Sequence, residues 1–73
     1  MEDTDDLTLM GRKLRALRED ASISQETLAS SIGMNRNNYR KIENGELNIT
    51  AKTMLKICRS LSIKPGEIFD DIV

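Results

Sequence analysis

The sequence predicts an all-helical domain of five helices, and three observations carry that prediction. Apolar residues recur at steps of three and four, the spacing that puts side chains on one face of a 3.6-residue helix. Side chains that cap helix N-termini, Ser24, Asn35 and Thr50, stand just ahead of three of those stretches. No alternating apolar run marks a strand. The single pair suited to a hairpin turn, Asn44-Gly45, is flanked by helical spacing instead.

The first helix is expected from about Thr8 to Asp20, with Met10, Leu14, Leu17 and Ala21 as its apolar stripe and the acidic Asp5 and Asp6 at its positive end. Ser24 caps a second helix over about 25–32, whose Leu28, Ala29 and Ile32 form the apolar face before Gly33 ends it. Asn35 caps a third over about 36–44, stopped by Asn44-Gly45. Thr50 caps a fourth, where Met54, Ile57, Cys58 and Leu61 share one face. Pro65 suits the first position of a short fifth helix, with Ile68 and Phe69 expected to turn inward. Residues 1–6 are short and acidic and are expected to form a disordered tail, leaving 7–73 as the folded domain.

At 73 residues the chain allows one domain with a marginal core, so well-packed helices or a second copy should support it. There is no run of 18 apolar residues, and Met-Glu-Asp-Thr-Asp-Asp does not read as a secretory signal, so a soluble, cytoplasmic chain with no membrane contact is expected. Cys58 is the lone cysteine and histidine is absent, which leaves no tetrahedral zinc set and no intrachain disulfide. Without a histidine, a glycine-rich phosphate loop or a nucleophile beside a base, neither an enzyme, a cofactor nor a small-molecule substrate is expected. The net charge of -1 hides a segregation: residues 7–66 hold all 11 Lys and Arg against 5 Asp and Glu, a net +6. Such a basic middle suits an anionic partner and equally an ordinary solvated surface.

The stretch 33–45, Gly-Met-Asn-Arg-Asn-Asn-Tyr-Arg-Lys-Ile-Glu-Asn-Gly, gives that partner a shape. With residues about 100° apart on a helix, Tyr39 and Ile42 share one side. Arg36, Asn37, Arg40, Lys41 and Asn44 spread over roughly 140° on the other. Guanidinium groups pair bidentately with guanine and side-chain amides with adenine, and the DNA major groove admits one such helix. The short break Ile32-Gly33-Met34 lets the second and third helices meet as a helix-turn-helix.

The run Ser24-Gln25-Glu26-x-Leu28-Ala29-x-x-Ile32-Gly33-Met34-Asn35-Arg36-x-x-Tyr39-x-Lys41-Ile42-Glu43-Asn44-Gly45 resembles the lambda-repressor/Cro-like family of DNA-binding domains. The likeness extends over about 8–69, through Gly11-Arg12-x-Leu14-Arg15-x-Leu17-Arg18-Glu19 upstream and Asn48-Ile49-Thr50 with Leu55, Cys58, Leu61 and Ile63 downstream. It implies a compact lambda-repressor-like domain in which Arg36, Asn37 and Lys41 read base edges. It further implies phosphate contacts from Gln25, Asn44, Arg18 and Arg40, and an ion pair between Arg18 and Glu43. Departures from the family pattern are Tyr39 for a usual Ile or Val, Arg40 for a small residue, Cys58 for alanine, and a loop Glu46-Leu47-Asn48 without basic residues.

One recognition helix reads few base pairs, so the resemblance implies a homodimer on two operator half-sites about 34 Å apart. Leu47, Ile49, Ile63, Ile68, Ile72 and Val73 are apolar candidates either for its interface or for finishing the core. The expected function is a sequence-specific regulator of transcription on double-stranded DNA, of phage, plasmid or bacterial type. The small form and the Asn48-Ile49-Thr50 lead-in are similar to controller proteins of restriction-modification systems. With the chain ending at Val73, control is expected from dimerisation, expression level or a second protein. The rival is a protein-binding module, an antitoxin or antirepressor, for which DNA is secondary.

Overall fold

Asp5 opens the first helix of the computed structural model, α1 (Asp6–Asp20), and its carboxylate accepts a 2.9 Å hydrogen bond from the Thr8 amide. That bond, made to the charged form, holds the Asp5 carboxyl below its ordinary range. The structure describes residues 5–70 and 72. Of the expected acidic tail, residues 1–4 lie outside the described residues, while Asp5 and Asp6 belong to the helix start, two residues earlier than the apolar periodicity indicates. Acidic side chains at a positive helix end account for the extension.

The remaining elements are α2 (Gln25–Ser31), α3 (Arg36–Glu43), α4 (Ala51–Leu61) and α5 (Gly66–Phe69). Each of the three predicted caps makes its bond: Ser24 Oγ accepts from Thr27 at 3.0 Å, Asn35 Oδ1 from Asn38 at 2.8 Å, and Thr50 Oγ1 from Thr53 at 3.1 Å. The helix ends are equally regular. At Ser22, Gly33, Gly45 and Ser62 the chain turns left-handed, with φ between 57° and 77°. The next amide then reaches back to the helix, as Met34 does to Ala29 O (2.9 Å) and Glu46 to Lys41 O (2.8 Å). Two of these turns fall on glycine, which adopts them freely, and the serine pair is the part the sequence does not announce.

Leu14, Leu28, Tyr39, Ile42, Ile57 and Ile68 form the fully buried centre. Two expectations are corrected here. The α1 stripe runs Met10, Leu14, Arg18, because Leu17 is half-buried and Ala21, past the helix end, is exposed. Phe69 does not turn inward: adjacent residues of a one-turn helix face about 100° apart, Ile68 takes the core position, and Phe69 stays 36% exposed. Of the apolar residues expected in the interface or the core, Ile68 is in the core, and Leu47, Ile49, Ile63 and Ile72 pack against it while staying partly exposed. Val73 lies outside the described residues.

α1 meets the end of α3 at Gly11, which is buried. A Cβ built there would overlap the Glu43 carbonyl oxygen and come within 2.7 Å of Ile42 O. Glycine at the middle of a helix costs about 1 kcal/mol relative to alanine, and here it allows the two backbones to touch. That contact fixes where the third helix points.

Candidate nucleic-acid interface

α3 divides as its sequence pattern predicts. Tyr39, Ile42 and Glu43 are buried, whereas Arg36, Asn37, Asn38, Arg40, Lys41 and Asn44 are exposed. The exposed arc has two edges. Arg36, Arg40 and Asn44 border an open polar cradle completed by Arg15 and Arg18 of α1 and by Ser24, Gln25 and Glu26 around the start of α2. Asn37 and Lys41 do not border it. They lie about 100–140° around the helix from Arg36, on the outermost part of the arc.

Beneath the cradle a buried polar network ties three helices together. Arg18 donates from Nε to Glu43 Oε2 at 2.6 Å, from Nη2 to Glu43 Oε1 at 3.2 Å and from Nη1 to Ile23 O at 2.7 Å. Gln25 Nε2 donates to Glu43 Oε1 at 2.9 Å. The side chains of Arg18 and Glu43 are 9% and 2% exposed. Burial by itself would raise the Glu43 carboxyl, but the bonds from Arg18 and Gln25, with the Tyr39 hydroxyl close by, outweigh it and the group sits below its ordinary value. The same contact raises the Arg18 guanidinium.

Tyr39, fully buried, fills the space between this network and the core. Burial first and the neighbouring Glu43 carboxylate second push its phenol well up, so it stays protonated. Its hydroxyl lies against that carboxylate without meeting full hydrogen-bond geometry to any described residue.

The structure therefore brings Gln25, Arg18, Arg36, Arg40 and Asn44 to one site and sets Asn37 and Lys41 beside it. Arg18 has most of its donors turned inward, so its main action is to hold α1, α2 and α3 in register. Arg15, Ser24 and Glu26 are cradle members to which sequence reasoning gives no DNA contact; Ser24 reads as a helix cap. The spacing of Arg15 three residues before Arg18, on the same helix face, was the available signal for the first. Cys58 is buried and its thiol raised by that burial, consistent with a small core residue. Among the described residues, no group of acidic, His or Cys side chains could hold a metal, and no helix is long and apolar enough to cross a membrane.

Two short helices at a tight turn, the second carrying a basic and amide-rich outer face beside an open polar cradle, define a helix-turn-helix DNA-binding regulator of transcription. The family model of the Cro/C1-type HTH DNA-binding domain matches residues 13–73, and the chain belongs to that family. Control protein C.MunI of a Mycoplasma species is 41% identical over 63 residues, 85% of either chain. An uncharacterised HTH-type transcriptional regulator of Bacillus subtilis, YgzD, is 33% identical over 60 residues, 82% of this chain and 91% of that one. The crystal structure of the restriction-modification controller protein C.AhdI from Aeromonas hydrophila superposes with a TM-score of 0.84 at 39% identity, over 88% of this chain and 93% of that one.

Proposed function

We propose that this protein controls a restriction-modification system by binding an operator as a homodimer, with Arg36, Asn37 and Lys41 reading base edges and Gln25, Arg40, Asn44 and the outer edge of Arg18 on phosphates. The observation that carries the reading is the two-edged exposed face of α3. Arg36, Arg40 and Asn44 form an edge continuous with an arginine-lined cradle that suits backbone phosphate, and Asn37 and Lys41 point outward where base edges would lie; Arg36, in the first turn of α3, has a side chain long enough to swing from the cradle edge to a base. The identity to C.MunI and C.AhdI supports the controller role.

Selection of random duplexes by the purified protein at ~150 mM salt, where purely electrostatic binding is suppressed, tests it directly. A two-fold symmetric motif is the expected result. Enrichment of nothing would move the reading to the protein-binding module. On the selected duplex Arg36→Ala should weaken binding by about 1–3 kcal/mol and relax selectivity at one position. Equal weakening on every duplex would remove Arg36 from the base readers.

For the dimer, the support is an apolar groove lined by Met10, Ile49, Met54, Leu55, Phe69 and Ile72. Leu55 is 43% exposed and Phe69 36%, and none of the groove residues belongs to α2 or α3, so a second copy seated there leaves the recognition helix free. Placing a charge in that face, as in Leu55→Glu, should convert the dimer to monomer in sedimentation equilibrium with the helical circular dichroism intact. A dimer unchanged in dissociation constant would place the interface elsewhere.

A further inference from the structure

Four arginines, Arg15, Arg18, Arg36 and Arg40, line the cradle, and Glu26 is the one carboxylate among its lining residues. Their charges are not equivalent. Arg18 is neutralised by Glu43, and Arg15 holds an exposed pair with Glu19 at 3.2 Å. Arg36, Arg40 and Glu26 make no ion pair with any described residue. The uncompensated charge facing an incoming backbone is therefore that of two arginines less one glutamate.

From this arrangement we infer that Glu26 is a specificity-determining residue, an electrostatic brake on binding to arbitrary DNA. A carboxylate on the wall of a phosphate cradle opposes every phosphate that enters it. On an operator, Arg36 engages a base edge and leaves the cradle wall. On random DNA it has only a phosphate to engage, past Glu26, so the opposition falls more heavily on the non-specific complex. This step rests on the base-reading role proposed for Arg36. Glu26 also stands in the first turn of α2, where an acidic side chain favours the helix; a purely structural role would show in stability, not in salt dependence.

The test compares Glu26→Gln and Glu26→Ala with wild type on two duplexes, the selected operator and a random sequence of equal length, across a salt series. Both variants should bind the random duplex about fivefold more tightly near 100 mM salt, the scale of one charge pair a few ångströms apart in water. The slope of log affinity against log salt should steepen by about 0.9, equivalent to one further counterion released. Operator affinity should rise less, so that the ratio of operator to random binding falls. Unchanged slopes, equal gains on both duplexes, or parallel losses accompanied by a lower melting temperature would each overturn the inference. Arg36→Ala measured alongside separates the two readings. If it keeps full operator selectivity, the base-reading role fails; if it loses selectivity while Glu26→Gln changes nothing, only the brake fails.

Discussion

Gly11→Ala is expected to lower the stability of the domain by about 3 kcal/mol, the upper part of the range for forcing extra volume into a packed site. The added methyl group meets no flexible side chain that could swing away. It meets backbone, the Ile42 oxygen within 2.7 Å and the Glu43 carbonyl nearer still. α1 or the end of α3 must move, and the register of Arg18 with Glu43 moves with them. On helix propensity alone the sign would be reversed, since alanine in mid-helix is favoured by about 1 kcal/mol, so the experiment decides between local and tertiary control. A fall of more than about 10 °C in melting temperature is the expected reading for a domain of this size. A melting temperature at or above wild type would show that the α1–α3 approach is not close.

Glu43→Gln is the second large effect. The substitution preserves shape but leaves the Arg18 guanidinium, 9% exposed, without its counter-charge, and breaking one partner of a buried pair costs about 3–5 kcal/mol. The double variant Arg18→Met, Glu43→Gln should recover most of that loss in urea unfolding, because the stranded charge is gone. A double variant as unstable as the single one would show that lost hydrogen bonds, not the stranded charge, set the cost. The pair also makes acid stability specific. Glu43 titrates below its ordinary value near 4.5 in the folded protein. Its contribution is therefore present in full above the unfolded value and is lost as pH falls through the folded one. Stability of wild type should decline as pH drops below about 4.5, and Glu43→Gln should flatten that decline.

Both effects operate on the cradle at a distance. Gly11 and Glu43 touch neither a base nor a phosphate in the proposed complex, yet they set the angle at which α3 leaves α1 and α2. A loss of DNA affinity in either variant at temperatures where it remains folded is the functional counterpart of the stability change.

By itself the sequence determined the helices and the function class. Helical period, the caps at Ser24, Asn35 and Thr50, and the stops at Gly33 and Gly45 depend on neighbours a few residues away, and the structure carries them within one or two residues of the expected ends. The split of α3 into a buried and a basic face is local in the same sense. The Arg18–Glu43 pair was legible only through family resemblance, because its partners stand 25 residues apart. The tertiary structure alone decided that Arg18 replaces an apolar residue in the α1 stripe, that Phe69 faces out while Ile68 faces in, and that Gly11 lies against backbone. It also decided that Arg15 and Glu26 share a cradle with Arg36 and Arg40. Each of these depends on the position and angle at which one helix meets another, which side-chain packing across the whole chain sets and no short window of sequence encodes.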